Sequence, residues 1–401
     1  MKPGSLIVFC GVLLSTSAFS VDIVLPFFPS IRDDLAAPQT AVQATVTLYL
    51  LCLGAGQLLF GSLSDRIGRR GAIAGGLGLY LAGALIALTS SSITGLLAGR
   101  ALQGFGAAAG PVVGRAIIRD LFTGQALAQN MAIATGIFSV GPIFAPLLGA
   151  AIAAGGAGWR AVFVVMGLFA AGLLVTLARV PETNRHRRPD ALAPTVMARN
   201  ALTVLRHPQS RYFLVLGGVT SSAMVCIVAG SPVVFEHAFG VRGAAFALLF
   251  ATHGLGIIIG QFANHRMIAR IGPVASAMVA ASVMTAAFAL STAAALAGWQ
   301  SAPLQTFLIF VFALGYLIVV ANATSLTLEP HGPIAGFVSA FFGFASTGAA
   351  SLIATAVLAV TAGDLLAWST ALALISFVVL IALRVWHRRG GPAARPGAAG
   401  R

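Results

Sequence analysis

The sequence predicts an all-α membrane protein with twelve transmembrane helices in two six-helix halves. Three observations predict it. First, 58% of the 401 residues are hydrophobic and only 8% are charged, whereas soluble chains carry about 25% charged residues. A water-soluble core cannot absorb that much apolar surface, so lipid must cover most of it. Second, the apolar residues fall into runs that reach the roughly 20 residues a helix needs to cross a bilayer. Third, a loop pattern returns half a chain later. Gly56-Gln57 followed by Arg66-Ile67-Gly68 is matched by Gly260-Gln261 followed by Arg270-Ile271-Gly272, with an offset of 204 in both parts. A fixed offset of that size marks a duplicated unit.

In chain order, the spans are expected near 6–28, 42–63, 71–91, 94–116, 129–153, 159–180, 212–235, 244–266, 273–297, 303–327, 334–360 and 364–386. The first begins like a secretory signal, with Lys2 and then apolar and small residues. Its apolar character continues to Phe28, so it reads as a retained helix. Dense small residues, as in Gly75-Gly76-Leu77-Gly78 and from Gly104 to Gly110, allow helix backbones to approach closely in lipid. Residues 1–180 form the first half and 212–387 the second. The Pro- and Arg-rich stretch 181–211 joins them as a linker, and 388–401 reads as a disordered tail.

The net charge is +14. Nucleic acid does not explain it, because the cations sit at the ends of apolar runs and not in one soluble patch. Loops on the side of the N-terminus hold nearly all of them, whereas the opposite loops hold only Arg32, Arg160 and Arg242. The positive-inside rule then places both termini in the cytoplasm. Cys10, Cys52 and Cys226 lie inside apolar runs without metal-ligand spacing, and the seven histidines are scattered. Buried thiols, no metal and no cofactor follow. The absence of a P-loop argues against ATP-driven transport within this chain, and no enzyme signature stands in its place.

Charges at lipid depth are costly and mark function. Asp22 in span one lies about 9 Å below the outer end, and Arg100 in span four about 10 Å below it, at 1.5 Å per residue. The two are expected to face one cavity, with the guanidinium tuning a carboxyl that takes and releases a proton. Pro26 and Pro29 break the hydrogen bonding of span one beyond Asp22. Span five carries Gly141-Pro142 and Pro146 to Gly149, a candidate hinge. Asp65, in the loop Gly61 to Arg70, is expected to dock on the N-terminus of span eleven, just after Pro333.

Taken together, these residues resemble the major facilitator superfamily. The loop from Gly61 to Arg70 matches its signature between helices two and three. Within the superfamily the chain is similar to drug:proton antiporters of the bicyclomycin and chloramphenicol resistance (Bcr/CflA) type. The stretches that carry the likeness are Asp22–Pro29, Arg100–Gly104, Arg119-Asp120-Leu121, Gly141–Gly149, Trp159–Phe163, Pro181-Glu182-Thr183 and the region from Asn322 to Ala340. The resemblance implies the major facilitator fold and a proton-coupling acid at Asp22 beside Arg100. It also implies a cytoplasmic gate around Asp65, Arg66, Arg69 and Arg115, to which the adjoining Gly61, Gly68, Arg70, Arg119 and Asp120 are assigned. One departure stands in span five, where Ala145-Pro146 replaces the paired glycines of the wider drug-exchanger family.

The resulting expectation is a monomeric multi-pass exporter in a bacterial inner membrane. Its partners are a small amphipathic substrate, protons and lipid, and the proton gradient supplies the energy. Substrate and proton are expected to compete at Asp22. The rival readings are a nutrient symporter or facilitator on the same fold, which an apolar, phenylalanine-rich interior disfavours for sugars, and a non-transporting sensor or scaffold.

Overall fold

The computed structural model describes residues 3–184 and 187–389. Lys2 and residues 390–401 lie outside the described residues; the expected disordered tail begins at 388, but the last helix continues through Arg388. Among the described residues there is no strand, and eleven helical stretches are long and apolar enough to cross a membrane.

The first half opens with α1 (Pro3–Asp22), a short 3₁₀ turn (Leu25–Phe27) and α2 (Phe28–Asp34). Then come α3 (Gln39–Ile67), α4 (Arg69–Thr89), α5 (Ile93–Ala107), α6 (Ala109–Leu121), α7 (Gly124–Ala154) and α8 (Arg160–Leu177). The linker holds α9 (Pro194–Arg206), a helix that starts on a proline. The second half contains α10 (Pro208–Phe239), α11 (Gly243–Phe250), α12 (Thr252–Leu296), α13 (Ala302–Leu328), α14 (Ala335–Thr361) and α15 (Leu365–Arg388).

The count of eleven differs from the expected twelve for one reason. The apolar stretch Gly243–Leu296 runs for 54 residues and contains both expected spans eight and nine. Its continuity is broken at Gly272, with φ 79° and ψ 170°, followed by Pro273. Gly68, its partner in the repeat, has φ 104° and ψ 162° and separates α3 from α4. Both backbones occupy a region that only glycine adopts without strain. The repeated Arg-Ile-Gly is therefore a repeated helix break, which is the structural basis of the duplication.

Small residues set the helix spacing. A Cβ on Gly83 would meet the Gln103 backbone nitrogen at 2.5 Å, and one on Gly99 the Gly83 carbonyl at 2.8 Å, so α4 and α5 touch backbone to backbone. The halves meet along two seams. α3 lies on α14, where a Cβ on Gly54 would sit 3.1 Å from the Phe344 carbonyl. α7 lies on the start of α12, where one on Gly254 would sit 3.1 Å from the Ile143 nitrogen. Between the seams a hollow remains.

Candidate transport site

The hollow is a cavity of about 1020 Å³ whose wall includes Asp22, Gln57, Pro142, His253, Tyr316 and Phe342. It continues past Arg115 and Arg119 to Asp190 and Arg199 near the linker helix, so it opens toward the arginine-rich face.

Asp22 is the last residue of α1. Pro26 explains why: it lacks the N–H that the Asp22 carbonyl would accept in a continuing helix. Pro29 does the same to Leu25, and the chain crosses the gap as a turn and a 3₁₀ segment. The Asp22 side chain is 4% exposed, lines the cavity, and has no hydrogen bond or ion pair among the described residues. The C-terminal end of a helix carries partial negative charge, so this carboxyl stands where a positive partner is favoured.

Arg100 is placed differently from the expectation. It is 0% exposed and is not part of the cavity wall. Its Nε donates to the Thr45 carbonyl at 3.2 Å and one terminal nitrogen donates to Gln103 Oε1 at 2.6 Å. The guanidinium carbon lies 4.2 Å from the centre of the Tyr49 ring, a contact worth about 0.5–2 kcal/mol. Its other terminal nitrogen is buried without a partner. Ser20, two residues before Asp22, bonds Tyr80 at 2.6 Å behind the same helix. Arg100 therefore anchors α3 to α5, and no ion pair joins it to Asp22. Depth along a span says nothing about which way around a helix a side chain points.

At the arginine-rich face the loop Gly61–Arg70 is tied down. Arg69 is 5% exposed and bonds three neighbours: Asp65 at 2.5 Å, Ser64 Oγ at 2.9 Å and Asp120 at 2.8 Å. Thr183 donates to Asp120 at 3.0 Å. Glu182 accepts from the backbone N–H groups of Arg69, Arg70 and Asn184 at 2.9, 3.2 and 2.9 Å. It thereby caps α4, whose N-cap residue Gly68 has no side chain to do so. Burial pushes the Glu182 carboxyl up, but those N–H donors outweigh it and hold it below its ordinary value. The sequence quoted Glu182 and Thr183 only as part of the resemblance, and their bracing role was missed.

The expected docking of Asp65 on span eleven is absent. Asp65 is engaged by Arg69 one turn along, and the start of α14 is approached instead by Arg119, whose terminal nitrogen lies 3.1 Å from a Cβ built on Gly336. Arg115 and Arg119 line the cavity, whereas Arg66 and Arg70 are exposed and Gly61 sits on the α3–α14 seam.

The span-five motif lies inside a single helix, α7, with Pro142 and Pro146 within it. A Cβ on Gly149 would stand 2.6 Å from the Ile23 carbonyl and 3.2 Å from Pro26 Cγ. The motif thus fits α7 onto the break in α1. His253 lines the cavity with its Nδ1 2.5 Å from the Phe250 carbonyl.

The opposite face is closed by a pair the sequence reading did not find. Arg32, just beyond the break in span one, bonds Glu236 at 3.2 and 3.4 Å near the end of α10. The two lie 204 residues apart, the repeat offset itself, and belong to different halves. Beside them Asp34 accepts from Arg160 at 2.7 Å and Trp159 at 2.9 Å.

The family model described as Major Facilitator Superfamily matches residues 8–355. The chain belongs to the major facilitator superfamily. An uncharacterized MFS-type transporter, YdgK of Bacillus subtilis, is 33% identical over 341 residues, covering 83% of each chain. The chloramphenicol resistance protein of Pseudomonas aeruginosa is 31% identical over 327 residues, 80% of this chain and 74% of that one. Among solved structures, the partially occluded inward-open xylose transporter XylE of E. coli superposes with a TM-score of 0.77 at 13% identity, over 99% and 98% of the two chains. The superfamily places this protein among multi-pass membrane transporters of small molecules, and the relative named for chloramphenicol resistance bears out the resemblance to the drug-resistance members.

Proposed function

We propose that this transporter exports small amphipathic compounds from a bacterial cytoplasm in exchange for protons, by alternating access. The single observation that carries the reading is Asp22: a carboxyl without a partner, on the wall of a large cavity between the halves, at a break in the helix that holds it. Such a group accepts either a proton or a substrate cation, and two ligands that compete for one site are coupled in opposite directions. Phenylalanine, methionine and valine on the same wall suit a lipophilic body. The arginine-rich face is the cytoplasmic one by the positive-inside rule, so the cavity faces the substrate pool. The chain acts as a monomer, with the site between its own halves.

Energetically the exchange closes. A proton moving through 100 mV gains about 2.3 kcal/mol. That corresponds to roughly fiftyfold concentration of a neutral solute, at 1.36 kcal/mol per decade, whereas one-for-one exchange with a monovalent cation moves no net charge and draws on the pH difference alone.

The test is uptake of a panel of antibiotics and dyes by a strain stripped of its own pumps. Cells carrying the protein should accumulate less of at least one compound, a protonophore should abolish the difference, and Asp22→Asn should match the protonophore. Entry of a compound driven by the same gradient would support the symporter reading instead.

A further inference from the structure

A second cavity lies away from the transport route, on the arginine-rich face between the start of α10 and the end of α15. It measures about 340 Å³ and is lined by Pro208, Arg211, Tyr212, Val385, Trp386 and Arg389. Tyr212 and Trp386 form its floor, with ring centroids 4.6 Å apart, and Phe213 meets Trp386 edge-on at 5.2 Å. Tyr212 is fixed by donating its hydroxyl proton to the Ala382 carbonyl at 2.5 Å. The wall is therefore preformed.

Its charge is unbalanced. All ten acids of the chain are among the described residues, and none lines this cavity. Arg211 and Arg389 are exposed and form no ion pair among the described residues. Two guanidinium groups beside one hollow call for an anion with several acceptor oxygens, and guanidinium binds phosphate through paired hydrogen bonds.

The position of the cavity says where that phosphate comes from. Tyrosine and tryptophan at a helix end mark the headgroup level of a bilayer. Deeper along the same faces the surface is apolar and open. Val378 and Ile381 precede Val385 at helical spacing and are 56% and 40% exposed, and Val215 follows Arg211 by one turn and is 60% exposed. A ligand with a phosphate head and acyl chains fits this arrangement, and basic pockets between spans are known to hold such heads.

We propose that this cavity binds the phosphate of an anionic phospholipid, such as phosphatidylglycerol or cardiolipin, clamped by Arg211 and Arg389. Neither residue touches the transport cavity, so the site is separate from the export function.

Native mass spectrometry of the delipidated full chain, titrated with phosphatidylglycerol, cardiolipin and phosphatidylcholine of equal acyl chains and with inorganic phosphate alone, tests it. The wild type should retain the two anionic lipids about tenfold better than phosphatidylcholine, whose headgroup has the same phosphate but adds a trimethylammonium cation that Arg211 and Arg389 repel. Arg211→Gln/Arg389→Gln should lose that preference, while Arg266→Gln/Arg270→Gln, also on the arginine-rich face, should keep it. Preference that survives the first double variant, or falls equally in both, overturns the proposal. Inorganic phosphate bound as well as phosphatidylglycerol overturns the lipid assignment. Should the first variant not fold, tryptophan quenching decides on folded protein. Brominated phosphatidylglycerol should quench more than brominated phosphatidylcholine, with the difference lost in Trp386→Phe; equal quenching in the wild type refutes the site.

Discussion

Breaking the Arg32–Glu236 bridge should release the face that is now closed. The pair joins the two halves at the end opposite the cavity mouth, so the alternating access proposed above requires it to part when the halves rock the other way. Its side chains are 27% and 16% exposed. Exposed ion pairs contribute about 0.2–1 kcal/mol. Partial burial and two hydrogen bonds put this one near the top of that range, at about 1 kcal/mol. Removing it from one of two states should shift their ratio about fivefold toward the other. The change to make is Glu236→Gln, which keeps the shape and loses the charge, together with Arg32→Gln and the double variant. Spin labels at Thr40→Cys and Ala238→Cys, both exposed at that face, would report the separation by pulsed EPR. Each single variant should enrich a longer distance, and the double variant should be no worse than either single. Distance distributions unchanged in both singles would refute the reasoning.

Other perturbations follow from the same structure. Glu182→Gln removes the charge that caps α4 and should cost about 1 kcal/mol of thermal stability. Because the native carboxyl is held below its ordinary value, its contribution is present at neutral pH and is lost as pH falls through that lowered value. The wild type should therefore lose stability on acidification more steeply than the variant, as melting curves in detergent would record. Arg69→Lys keeps the charge but cannot reach Asp65, Ser64 and Asp120 at once. It should lower transport several-fold in correctly inserted protein, as vesicle flux would measure. Gly149→Val places a branched side chain against the Ile23 carbonyl, and should depress transport or yield more than the same change at Gly136, where a Cβ would meet nothing within 4 Å.

Much of the fold was legible because lipid imposes a simple rule: apolar runs of spanning length become helices. The break in span one was legible because a proline removes a specific hydrogen bond, and Pro26 stands four residues after Asp22. The duplication was legible in Arg-Ile-Gly, since only glycine takes the backbone found at Gly68 and Gly272. What failed is orientation around helix axes. Arg100 sits behind Tyr49, which sequence depth alone does not reveal. Asp65 was assigned a distant helix end when Arg69, one turn away, was the nearer partner. The helix Pro194–Arg206 was hidden by the arginine content of the linker, although Pro194 at its start was a signal. The Arg32–Glu236 pair had a signal too, because its members occupy matching positions in the repeat.

The account turns on Asp22 exchanging a proton for substrate. Purified protein in weakly buffered detergent solution, mixed with an exported compound, measures this directly through the pH change on binding. Wild-type protein should release protons in proportion to the substrate bound, and Asp22→Asn should release none while remaining folded. Undiminished release from the folded Asp22→Asn protein would contradict the account.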